Sequence, residues 1–393
     1  MSQLLNERWS ETKEALLEGL AGNRRSSMAV CLENTRKYLG ESATAGATSA
    51  GNVATLNRVI LPVIRRVMPT VIANEIIGVQ PMTGPVGQIH TLRVRYADGA
   101  DNVVAGEEAL SPFKIASAYS GNNVDSAPKA NTTSQLEGTP GKRMSIQILK
   151  SPVEARSRKL SARWTFEAAQ DAQAQQGIDI EAEIMAALAQ EITAEIDQEI
   201  LSSLRALANV EETFDQSMVS GTATFVGDEH AALAIQINRV SNLIAQRTRR
   251  GAGNWAVVSN QALTILQSAT TSAFARTTEG TFEAPTNTKF VGTLNGAMCI
   301  YVDAYLSDAS SQDANQVLVG YKGASEADAA AFYCPYIPLM SSGVVLDPAT
   351  FEPVVGFLTR YGYVELTNSA SSLGNAADYL GKVAITSANV SFK

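Results

Sequence analysis

The sequence predicts an α+β fold, on three observations. Residues 179–200 repeat apolar side chains at helical spacing over many turns, residues 88–96 alternate apolar with basic side chains at strand spacing, and short β-rich runs dominate from residue 254 onward. With 393 residues, 45% of them apolar and 18% charged, the chain can bury a substantial core and divide into two or three lobes.

Residues 3–20 read as an amphipathic helix with Leu5, Trp9, Leu16 and Leu20 near one face, and a lone helix of that length needs a partner. Residues 40–56, GESATAGATSAGNVATL, hold no aromatic side chain and have the composition of a flexible arm, so the first boundary closes an N-terminal arm over 1–57. A helical stretch at 55–75 with Leu56, Val59, Ile60, Val63, Ile64 and Val67 follows; its part within 58–83 leads into the body and ends in the punctuation GVQPMTGPVG. The strand over 88–96 takes its mate from 144–164. About 45 residues rich in Asn, Ser, Gly and Ala separate the two, so a long hairpin over 84–164 carries either a small insertion at about 97–142 or a disordered tip.

Residues 165–208, within a segment over 165–250, change to a helical period. A break at Gly177 and an N-cap at Asp179 open a long helix with Ile184, Leu188, Ile192, Ile196 and Ile200, about 40 Å in extent at 1.5 Å per residue. A strand at 221–226 and a helix at 231–249 come next. A sheet-rich lobe over 251–345 has strands at 254–260, 297–305, 315–321 and 330–337 and a helix near 260–270; the strand at 351–366 belongs to a C-terminal return over 346–393.

Charge is sharply segregated. Lys142, Arg143, Lys150, Arg156, Arg158, Lys159 and Arg163 against Glu154 give residues 142–163 a net of +6, whereas residues 164–200 hold nine carboxylates and no Lys or Arg. A basic arm followed by an acidic helix suits one copy reaching over another, because opposite potentials steer association; the alternative is an arm folded back on its own helix, or two solvated faces.

Little else points to chemistry. The net charge of −8 argues against a general nucleic-acid coat. Cys31, Cys299 and Cys334 are odd in number and lack CxxC spacing, so neither a disulfide framework nor a zinc ribbon is expected. His90 and His230 are the only histidines, which leaves nucleophile and base constellations poorly supported. No phosphate-binding GxxxxGK[ST] loop occurs, and GAGNWA (251–256) follows a helix and precedes a strand, the reverse of the dinucleotide-binding order. Asp308 and Asp313 sit in a polar loop without the spacing of a calcium site. The expectation is no catalytic residue, no cofactor, no metal and no enzyme activity. The N-terminus lacks the basic and apolar regions of a secretion signal, and no apolar run approaches a membrane span.

RVILPVIRRVMPTVIANEIIGVQPMTGPVGQIHTLRVRY (58–96), VEARSRKLSARWTFEAAQDAQAQQGIDIEAEI (153–184), YCPYIPLM (333–340) and GFLTRYG (356–362) resemble, in order, blocks of the major capsid proteins of T4-like tailed phages. The resemblance implies the HK97-like capsid fold. It has an N-arm, an extended E-loop hairpin (84–164), a P-domain with a spine helix (165–250 plus the C-terminal strands) and an A-domain (251–345). It implies self-assembly as hexamers and pentamers into an icosahedral virion shell, assembled in the host cytoplasm around double-stranded DNA without sequence-specific binding. A vertex protein, portal, scaffold, maturation protease and decoration proteins are the implied partners. The family's protease cuts after Glu in a Leu/Ile-x-Glu context, which Leu39-Gly40-Glu41 before Ser42 matches, making residues 1–41 a candidate propeptide; Leu16-Leu17-Glu18 also matches but lies in the expected helix. Arg156, Arg158 and Lys159 are the candidate bridges to Glu191, Glu195 or Glu199 of a neighbouring subunit. A pentameric vertex paralogue and an encapsulin-like compartment shell are the competing readings, separable by copy number per particle.

Overall fold

The computed structural model describes residues 9–10, 13–14, 16–17, 20, 22–45, 72–99, 103–107, 109, 119–121, 130, 132–138, 141–176, 179–215, 226–248, 250–268, 274–276, 289–303, 305–306, 316–325, 328–350, 352–366 and 376–387. They fall into two compact units. The first unites residues 1–87, 152–203 and 332–364, and the second residues 88–151, 204–331 and 365–393.

In chain order the described elements begin with α1 (Gly22–Ala45), α2 (Ala73–Ile76), β1 (Gly78–Val79), β2 (Val86–Tyr96), α3 (Thr133–Leu136), β3 (Met144–Glu154) and β4 (Arg156–Arg163). The long helical region follows as α4 (Phe166–Gln176) and α5 (Ile180–Leu207), then β5 (Val210–Asp215) and α6 (Val226–Thr248). The remainder is β6 (Trp255–Ser259), α7 (Asn260–Ser268), β7 (Phe274–Arg276), β8 (Lys289–Leu294), β9 (Met298–Asp303), β10 (Gln316–Gly320), β11 (Ala331–Leu346), β12 (Pro353–Glu365) and β13 (Leu380–Ser387).

The first unit is built on a four-stranded sheet ordered β1-β11-β12-β4. β12 alternates strictly, with Val355, Phe357, Thr359 and Tyr361 buried, as a sheet with one covered face requires. The cover is α5, since Tyr361 on that face meets Glu199 of the helix. Asp179 opens α5 as expected: its carboxylate accepts the Glu181 N–H at 3.1 Å, which satisfies one of the helix's free donors. Leu188, Ile192, Ile196 and Ile200 are buried, while Ile184 is only half-buried. Gly362 has a steric reason, because a Cβ there would lie 2.4 Å from the Val153 side chain.

The second unit has a seven-stranded mixed sheet, ordered β5-β13-β10-β6-β9-β8-β7. β6 and β10 sit inside it and are buried at every residue, hence their unbroken apolar composition. Leu233, Ile237, Val240 and Ile244 of α6 and Ala262, Ile265 and Leu266 of α7 share one core with Val258, Ile300, Val302, Val317, Val319 and Val383 of the strands. The β8–β9 turn uses Asn295 and Gly296, both at positive φ (53° and 68°), the turn chemistry that suits the twist of a hairpin. A separate two-stranded ribbon pairs β2 with β3. Ala155 N–H bonds Pro85 O, and Ala97 N–H bonds Arg143 O, so the two strands run antiparallel.

Several expectations change. The mate of β2 ends at Glu154; residues 156–163 belong instead to the first unit's sheet, paired antiparallel with β12 from Arg163↔Val354 to Arg156↔Tyr361. One strand-like basic run in the sequence is thus two strands with different partners. The helix α1 continues through residues 40–45, which composition alone assigns to a flexible arm. The described strand before α6 is β5 at 210–215, and residues 221–225 lie outside the described residues, as do 46–71, which include most of the expected 55–75 helix. Strands β7 and β8 have no counterpart in the sequence reading, and of the expected C-terminal strands over 346–393, β12 joins the first unit's sheet while β13 joins the second's.

Candidate assembly interface

The sequence-predicted basic and acidic residues meet first within one chain. Arg158 on β4 donates from Nη1 to Glu195 Oε2 at 2.7 Å, from Nη2 to Glu199 Oε2 at 2.5 Å, and from Nε to the Tyr361 hydroxyl at 2.6 Å. The Tyr361 hydroxyl in turn donates to Glu199. All three guanidinium nitrogens are therefore engaged by α5 and β12 of the same subunit. Within one chain Arg158, Glu195 and Glu199 thus pair with one another, as the folded-back alternative has it: strand β4 is an edge strand whose Arg158 face turns onto its own helix. Arg156, Lys159 and Glu191 remain exposed.

Burial works to raise the Glu199 carboxyl, but the Arg158 guanidinium and the Tyr361 hydroxyl outweigh it and hold the group below its ordinary 4.5. A carboxylate depressed in the folded state contributes stability that is complete above its unfolded pKa and is lost as pH falls through the folded value. The stability gap between the wild type and Arg158→Met is therefore expected to be full above about pH 4.5 and to close under acid, read by urea titrations at a series of pH values. A gap that is unchanged down to pH 2 would contradict the charged cluster.

The ribbon offers a different surface. Met144, Ile146 and Ile148 occupy alternate positions of β3 and therefore one face, and they are 53%, 68% and 60% exposed. Lys142, Arg143 and Lys150 flank them in sequence. The ribbon's far end has a small core of its own, Tyr96, Val103, Ala109 and Tyr119, with the two tyrosine rings 4.5 Å apart. Arg143 pairs with Asp98 at 3.2 Å, the Tyr119 hydroxyl donates to Arg143 O at 2.5 Å, and Lys142 lies 5.6 Å over the Tyr119 ring. Of the two readings of the inserted residues, the described ones favour a small folded insertion.

The remaining candidates are placed as follows. Leu39, Glu41 and Ser42 all lie in the C-terminal part of α1. His90 is exposed on β2, and His230 is buried beside the Ser268 hydroxyl. Residues 307–315, with Asp308 and Asp313, are outside the described residues. Cys31 and Cys334 are buried thiols, and burial pushes both up to about 12. Among the described residues no group of three or more His, Cys, Asp or Glu side chains is arranged to hold a metal, and no helix is long and apolar enough to cross a membrane. Sequence reasoning missed Tyr361, the hub of the Arg158 cluster; strand alternation in GFLTRYG marks it as inward-facing but does not name its partners.

The family model for the major capsid protein Gp23 matches residues 53–139 and 127–385, most of the chain. The chain belongs to this family. Among its relatives, the major capsid protein of Vibrio phage KVP40 is 29% identical over 421 residues, covering 84% of this chain and 80% of the relative. That of Enterobacteria phage T4 is 29% identical over 416 residues (83% and 78%), and that of Salmonella phage ViI 30% identical over 362 (83% and 80%). Solved structures with a looser likeness include the capsid of Myoviridae phage XM1, at 11% identity, a TM-score of 0.44 and coverage of 79% and 90%. The asymmetric unit of the mature capsid of bacteriophage PhiM1 stands at 13% and 0.46, covering 78% and 83%. As a Gp23-family protein the chain is a structural component of a phage virion that works as an oligomeric shell.

Proposed function

We propose that the chain is the principal subunit of an icosahedral head shell that encloses the double-stranded DNA of a tailed bacteriophage. Family membership over residues 53–385 carries the reading. The exposed apolar row on β3 supports its mode of assembly, because a row of that kind on a thin ribbon calls for cover by another copy. In HK97-like terms the E-loop is residues 84–154, shortened from the sequence expectation because β4 joins the first unit's sheet. The P-domain takes that sheet with α5, and the A-domain takes the seven-stranded sheet. Identical weak contacts repeated by symmetry close the shell as hexamers and pentamers. Arg156 and Lys159, exposed beside the occupied Arg158, and Glu191 are the charged residues left for contacts between copies.

Vertex protein, portal, scaffold, maturation protease and decoration proteins are the partners this role calls for, with assembly in the host cytoplasm. Cutting after Glu41 requires an extended backbone, so the last turns of α1 must unwind; Gly40, Ser42 and Thr44 are poor helix formers and lower that cost. The test is an intact mass of the chain from DNA-filled particles, with its copy number. The expected result is hundreds of copies, each short of its first 41 residues. A full-length mass would remove the cut, tens of copies would indicate a vertex protein, and absence from particles would overturn the shell itself.

A further inference from the structure

The segment before Glu41 is not loosely attached. Helix α1 turns Ser27, Met28, Cys31, Leu32 and Asn34 into the first unit, with Met28, Cys31 and Leu32 at 2%, 0% and 1% exposure. These positions follow the i, i+4, i+7 spacing of one helical face. The Asn34 amide donates to Met82 O at 2.6 Å and to Tyr336 O at 3.0 Å. It reaches the end of the β1–β11 edge, where Gln80 and Met82 N–H already take Tyr333 O and Pro335 O. Cys31 Sγ lies 3.9 Å from Pro335 O, and Arg24 pairs with Glu75 toward the helix's other end. On the outer side, Glu33 accepts from Trp9 Nε1 at 3.4 Å and Lys13 Nζ at 3.3 Å, and Arg36 lies 5.6 Å over the Trp9 ring, so Trp9 and Lys13 are tied to α1.

We propose that the groove beside β1 and residues 333–336 of β11 is a docking site for a helical segment, residues 22–36 of this chain. The segment stays seated there as a separate peptide after the backbone is cut, until it is displaced or cut further. The contacts that hold it are side-chain burial, two amide hydrogen bonds and an ion pair, and none of them passes through residues 41–42. Severing the chain removes the tether and leaves the docking intact. A specific ligand chemistry follows: an amphipathic helix presenting two large apolar side chains one turn apart and an Asn amide that donates to the Met82 and Tyr336 carbonyls. The biological consequence, retention of the N-terminal segment on its subunit during maturation, rests on the cut at Glu41 proposed above; the docking itself does not.

The test uses the full chain with a recognition sequence for a site-specific protease inserted after Ala50. After cutting, the N-terminal fragment is expected to co-elute with the remainder in native gel filtration and to separate in denaturant. A fragment that elutes free under native conditions overturns the proposal. Leu32→Ala with Asn34→Ala is expected to weaken retention about a hundredfold, since the cavity and the two lost hydrogen bonds both act on the bound state alone; retention unchanged from wild type would show that the groove is not what holds the segment. Because that variant could unfold, a labelled peptide of residues 22–45 is also titrated against the site-inserted protein, with Leu32 and Asn34 unchanged, before and after cutting. Exchange into the cut protein but not the uncut one is expected, and binding to neither overturns the proposal. Failure of the natural cut in particles would leave these results standing, so the two ideas fall separately.

Discussion

Replacing Arg205 by methionine is expected to destabilise the second unit by about 3–5 kcal/mol, the range for removing one partner of a buried ion pair. Arg205, in the last turn of α5, donates from Nη2 to Asp303 Oδ2 at 2.5 Å; its side chain is 11% exposed and that of Asp303 is fully buried. Asp303 closes β9, and its other oxygen accepts the Tyr305 N–H at 3.1 Å. Without the guanidinium the fully buried carboxylate loses its closest counter-charge, whereas methionine keeps most of the packing volume. Arg205→Met with Asp303→Asn is expected to recover part of the loss, because the amide removes the charge while its oxygen still accepts from Tyr305. Urea unfolding followed by circular dichroism measures both variants. A loss below about 1 kcal/mol for the single variant would mean that the pair behaves as an exposed one.

The second large effect is on assembly. Ile146→Asp with Ile148→Asp is expected to leave the isolated subunit within about 0.5 kcal/mol of wild type, as for surface substitutions, and to abolish shells. Both side chains are more than half exposed in the single chain, so the fold loses little. Between copies each isoleucine contributes about 1.5–3 kcal/mol when buried, and two aspartates there must be desolvated without a partner. Every copy carries the defect, so it repeats at each contact of a closed shell. Electron microscopy of expressed wild-type and variant protein decides the matter: wild-type-like particles from the variant would remove the ribbon from the interface. Lys159→Glu tests only a rim charge by comparison and would change the salt dependence of assembly more than its yield.

What could be read from the residues was local or periodic. The long helix with Asp179 at its head, the alternation of β2, the buried central strands around 255–259 and 316–320, and the family blocks all announce themselves in runs of neighbouring residues. The inner face of α5 was legible for the same reason, since a 3.6-residue period names the buried side before any partner is known. Partners were not legible. The basic run 142–163 looks like one arm, and only the fold divides it at Ala155 between a ribbon and a sheet edge, turning Arg158 onto Glu195 and Glu199 of its own chain. Charge segregation in sequence shows which segments carry opposite charge, but whether those charges meet within a copy, between copies or not at all depends on strand pairing across some 200 residues, from Arg158 to Tyr361. Helix α1 was hidden because its mixed composition has almost no amphipathic signal; the burial of Met28, Cys31 and Leu32 comes from a groove supplied by residues about 300 positions away. Composition and period thus determined many of the helical and strand segments, and the four ordered sequence blocks carried the family resemblance. Tertiary structure alone decided which charges are already paired within the chain, which apolar row stays exposed, and which side chains hold helix α1 against residues about 300 positions away.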